Sequence, residues 1–127
     1  MTLKQDVRAS VLARRKEIPS ASRKEKSLSI CEQFLEEIDS RFANIAPSSA
    51  SDEKLRIAAY EPMNSEVDVH PLVYAAYERG WDVYLPCMTK DAPDTPARMV
   101  FFAITPSQLT EQRPAFLDHP ARPYLFD

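Results

Sequence analysis

Leu55-Arg56-Ile57-Ala58-Ala59-Tyr60 and Trp81-Asp82-Val83-Tyr84-Leu85-Pro86 are two short apolar runs, and the stretch between them decides the fold. Each run has the length and composition of a short buried strand. Pro71 stands near the start of the intervening segment, where a helix loses nothing by lacking a backbone donor. Leu72, Val73, Ala75, Ala76 and Tyr77 continue that helix, and Gly80 ends it as a C-terminal cap. A strand, one helix and a second strand predict a right-handed parallel crossover.

Working outward, Arg98 to Ile104 reads as a third strand after a Pro/Asp loop. Residues 105–127 hold four prolines and read as a proline-rich, loop-like tail with one helical turn near Ser107–Gln112. Upstream, Ser22-Arg23-Lys24-Glu25 matches a capping box, and Leu28, Cys31, Leu35, Ile38 and Phe42 follow at helical spacing. That pattern predicts a helix over about 22–43, with a polar loop at residues 47–52. Leu3, Val7, Val11 and Ile18 share one face of an earlier helix over about 3–17. Residues 1–127 therefore read as a single α/β domain. The expected form is part of a three-layer, Rossmann-like sheet with mainly parallel strands, two N-terminal helices and one βαβ crossover.

Composition narrows the chemistry. Of 127 residues only Gly80 is glycine, against eleven prolines. A phosphate loop needs several glycines close together, so P-loop, dinucleotide and kinase-type loops are excluded. The 44% hydrophobic and 28% charged content argues against global disorder. No apolar run reaches the roughly 20 residues that span a bilayer, and the N-terminus lacks a signal-peptide core. Cys31 and Cys87 form no CxxC pair and read as reduced, mostly buried thiols of a cytoplasmic protein. His70 and His119 have no helix-spaced His or Cys partner, so no zinc site is expected.

Charge is uneven: residues 1–26 carry +5 and the remainder −8. A basic end on an acidic body suggests that the end meets an anion, although a solvated helix face gives the same pattern. Nucleic acid is a poor fit, because no aromatics interleave with the cations and the chain is acidic overall. On helical geometry Lys4, Arg8 and Arg15 fall within about 40° of one another, directly beside the apolar stripe. Cations there can rest their stems on a core and aim their heads into a cleft.

Tyr60-Glu61-Pro62-Met63-Asn64-Ser65-Glu66-Val67-Asp68 follows the first strand, at the strand end where open α/β sheets bind ligands. Taken with Lys4-x-x-x-Arg8, Gly80-x-x-Val83-x-Leu85-Pro86 and Met99-x-Phe101, this segment resembles the N-terminal portion of the 5-formyltetrahydrofolate cyclo-ligase (methenyltetrahydrofolate synthetase) family. The resemblance runs in order from Lys4 to about Ile104. It implies ATP-driven closure of 5-formyltetrahydrofolate to 5,10-methenyltetrahydrofolate, assisted by Mg2+. Lys4 and Arg8 match the family's ATP-contacting pair, and Glu66 matches its folate-contacting glutamate. Glu61, in the same loop, is a weaker substrate-binding candidate. The family's glycine-rich nucleotide and metal segment has no counterpart here, so this chain alone is expected to be catalytically incomplete. Taken singly, Lys4 and Arg8 read as a solvated helix face, and Glu66 and Asp68 as acids at a helix N-terminus. A second function stays open, a non-enzymatic α/β module that binds a partner or its own copy through an exposed sheet surface.

Overall fold

The computed structural model describes residues 2–42, 55–63 and 65–118, and the backbone of 124–125. The predicted loop at 47–52 and His119 lie outside these residues. The elements are α1 (Leu3–Glu17), α2 (Ser20–Arg41), β1 (Arg56–Ala58), α3 (His70–Glu78), β2 (Asp82–Lys90), β3 (Arg98–Ala103), α4 (Pro106–Thr110), a single 3-10 turn (Ala115–Leu117) and β4 (Tyr124–Leu125).

The predicted parallel pairing of the two strands around α3 forms, with Arg56 to Ala58 beside Asp82 to Tyr84. Gly80 ends α3 at φ +75°. The amide of Trp81 donates to the Ala76 carbonyl at 2.9 Å and that of Gly80 to Tyr77 at 3.0 Å, which completes a Schellman cap.

The mainly parallel, three-layer arrangement is not what the described residues form. The longest ladder is antiparallel, running from Tyr84↔Ala103 to Thr89↔Arg98. β4 adds a short parallel pairing at Thr89 and Lys90. Thr89 is already paired with β3 on one side, so β4 lies on the β1 side of β2. The result is a mixed sheet centred on β2. The β3 connection is too short for a crossover, and a short link between neighbouring strands favours the antiparallel return.

Pro86 explains the gap between β1 and β4. Val83 O accepts from Ile104 N, whereas Tyr84 O accepts from Ala59 N, so even-numbered backbone groups of β2 face the β1 side. Pro86 falls there, beyond the last β1 pair and before the first β4 pair, where its missing N–H breaks no ladder bond.

β2 alternates strictly between buried and half-buried residues. Val83 and Leu85 join Val73 and Ala76 of α3, Ile104, Leu109 of α4 and Leu117 in one core. Phe102 and Phe116 pack at its margin, with ring centroids 5.9 Å apart. The segment 106–118 is therefore more than loop: the helical turn expected near 107–112 forms as α4, and the 3-10 turn follows it. Two of its leucines close the core, although its prolines do set the ends of α4 and of the 3-10 turn. The opposite sheet face carries no helix among the described residues.

The N-terminal helices differ from expectation in two ways. Ser22 and Glu25 form no capping box, because α2 begins earlier, at Ser20 after Pro19. Pro19 holds Ile18 in an extended conformation, so one residue both stops α1 and starts α2. The Arg23 guanidinium ties the joint by donating to the carbonyls of Arg15 and Ile18. α1 is capped instead by Thr2 and Gln5, which form a reciprocal box. None of its residues is buried, and Leu3, Val7 and Val11 are exposed. The predicted burial of that stripe does not occur.

Candidate functional site

The loop between β1 and α3 is fixed largely by side chains. Tyr60 Oη donates to the Val67 carbonyl at 2.9 Å. Met63 N donates to Glu66 Oε1 at 2.8 Å, while Glu66 N returns a bond to the Met63 carbonyl. From α2, buried Ser27 accepts from Asp68 N at 3.0 Å, and the Cys31 thiol reaches the Asp68 carbonyl. From α1, Arg15 Nε donates to buried Ser65 Oγ at 3.0 Å.

Beside this loop runs a line of charged groups, of which the sequence singled out Glu61 and Asp68 but not their partners His70 and Arg113. Glu61, whose side chain is 10% exposed, meets His70 Nε2 with one oxygen and Arg113 Nη2 at 2.9 Å with the other. His70 Nδ1 faces Asp68 Oδ1 at 3.2 Å. Arg113 continues to Asp118 at 2.8 Å and to the Leu109 carbonyl at 2.9 Å. Both bonds to Glu61 are charge-assisted when the partner is cationic, and Arg113 always is. The pair of bonds to Asp118 and Glu61 holds the Arg113 guanidinium pKa above its ordinary value. His70 is placed by the first turn of α3 and Arg113 by the end of α4. The only local signal was Asp68 two residues before His70, because nothing adjacent to Arg113 in sequence shows that it reaches Glu61 in the loop after β1.

The predicted site residues are distributed as follows. Glu61 is committed to His70 and Arg113 through both oxygens, so it serves the frame of the loop. Glu66 is half-buried, and its second oxygen makes no bond among the described residues. Lys4 and Arg8 are exposed and have no polar partner among the described residues. They share the helix sector of Arg15, which does touch the loop. They therefore lie on the loop-facing side of α1, about 16 and 10 Å further along its axis at 1.5 Å per residue. No group of three His, Cys, Asp or Glu side chains among the described residues is placed to hold a metal ion. No helix among them is long and apolar enough to cross a membrane.

Comparison with protein-family models, with curated proteins and with solved structures finds no match to this chain.

Burial also sets the pH response. It pushes the Cys31 thiol up, with Asp68 and Glu32 adding to the effect against a backbone hydrogen bond that lowers it. It pushes up the Tyr60 phenol, reinforced by the Glu66 carboxylate, and likewise Tyr77 and Cys87. These groups are neutral when folded. Their stabilisation is complete below the ordinary values of 9.0 and 10.0 and is lost as pH rises through the raised ones. Urea midpoints should hold near neutrality and fall by about pH 10.5, and Tyr77→Phe, which cannot ionise, should flatten that fall. A midpoint that rises with alkali would contradict this.

Proposed function

We propose that this chain binds a reduced folate at the β1–α3 loop and the phosphates of ATP along α1. In this reading it acts in the ATP-dependent conversion of 5-formyltetrahydrofolate to 5,10-methenyltetrahydrofolate. The observation that supports the reading is the Arg15–Ser65 bond, which ties α1 to the loop that carries Glu66. A half-buried carboxylate with one uncommitted oxygen suits the donor-rich edge of a pterin, since an ionised carboxylate only accepts. Lys4 and Arg8, unpaired among the described residues, supply the positive charge that phosphoryl transfer requires. With no protein cluster for a metal among the described residues, Mg2+ fits best as an ion carried on the nucleotide's own phosphates. There it would neutralise charge as the formyl oxygen is phosphorylated.

The roles separate by titration calorimetry. Glu66→Ala should weaken 5-formyltetrahydrofolate binding about tenfold or more, while lowering the urea midpoint only by the loss of its exposed bond to Met63 N, about 1 kcal/mol or less. Lys4→Ala with Arg8→Ala should spare folate and weaken ATP. The chain alone, with one glycine and no phosphate loop, is expected to bind without producing the near-ultraviolet absorbance of the methenyl product. If neither ligand binds the intact chain, the proposal fails.

A further inference from the structure

The sheet face that carries no helix among the described residues has a pattern of its own. Along β2 it reads Asp82, Tyr84, Pro86, Met88, Lys90, an acid and a base at opposite ends with three largely apolar residues between. Beside them on β3, Phe101 pairs with Pro86, Met99 with Met88 and Ala103 with Tyr84. Met99 is 58% exposed and Phe101 45%, although both sit mid-strand in a regular ladder. Neither Asp82 nor Lys90 makes an ion pair among the described residues.

We propose that this face is the interface of a two-fold dimer of the chain. An axis lying between two stacked sheets, perpendicular to the strands and passing at Pro86, lays β2 antiparallel over its own copy. That operation sets Asp82 of each copy against Lys90 of the other, twice. It places Tyr84 over Met88, the large Met99 over the small Ala103, and Phe101 over Phe101. A parallel stacking of the same face would oppose acid to acid and base to base. The pattern thus selects the antiparallel dimer over its alternative. Stacked sheets cross at about 30°, which offsets strand ends, and the long Lys90 stem spans such an offset. The proposal is independent of folate or ATP binding.

Sedimentation velocity of the intact chain over a concentration series tests it. The wild type should show a monomer–dimer equilibrium. Asp82→Lys and Lys90→Asp should each raise the dimer dissociation constant about tenfold or more, and the double charge swap should bring it back toward the wild type. Phe101→Glu, at an exposed position outside the core, should leave a folded monomer by circular dichroism. A wild type that stays monomeric at every concentration overturns the proposal. So does a double swap that fails to recover. A dimer indifferent to Phe101→Glu but broken by Phe34→Glu also overturns it, because the exposed face of α2 would then hold the copies together.

Discussion

Replacing Glu61 with alanine should lower the unfolding free energy by about 3 kcal/mol, as measured by urea denaturation. The side chain is nearly buried and touches two basic groups from well-separated points downstream in the sequence, His70 nine residues away and Arg113 fifty-two. Removing it leaves the Arg113 guanidinium beside a small cavity with only Asp118 to balance it, and leaves His70 without its Nε2 partner. An unpaired, partly desolvated charge costs more than the pair contributes, so the loss exceeds that of an exposed ion pair, which is below about 1 kcal/mol. Glu61→Gln keeps the shape and one acceptor oxygen, and should cost about half as much. If both variants unfold at the wild-type midpoint, the line from Asp68 to Asp118 does not hold the site together.

Leu117→Ala should cost about 3 kcal/mol, in the range of buried leucine truncations. Leu117 is 2% exposed and lies in the same cluster as Leu85 and Val83. Its neighbours sit on a central strand with little room to collapse, so the void persists. The comparison with Leu28→Ala is informative, because Leu28 is exposed on α2 and should lose less than about 1 kcal/mol. Equal effects would mean that the segment after α4 does not belong to the core.

The parts of this fold that could be read in advance are those whose cause is local. Gly80 marks the end of α3 because the cap needs a positive φ, and the apolar spacing of 72–77 marks the helix itself. What could not be read has its cause elsewhere in the chain. The prolines at 106 and 114 suggested a loop, yet each simply sits beside the start of a helical turn whose leucine enters the core. The stripe of Leu3, Val7 and Val11 has the period of a buried face, but period alone does not supply a surface to bury it against. Pro19 overrode a capping box that was correct in composition and misplaced by three residues, since the N-cap is Pro19 rather than Ser22. The place of Glu66 in the loop after β1 was legible in the sequence, but its bond to Met63 N was not. Glu61, singled out with it, turned out to be occupied by Arg113, a residue that no spacing rule connects to it.

The closure of the core by Leu109 and Leu117, with β4 reaching back to Thr89, has a consequence during synthesis. The β1–α3–β2 unit emerges from the ribosome before β3, α4 and the 3-10 turn, and is local enough to pair at once. Its inner face, however, waits for leucines made well after the strand they cover. Through that interval the inner face of β2 is covered by α3 alone and the strand is paired along only part of its length, the state in which a nascent chain most readily associates with its neighbours or engages a chaperone.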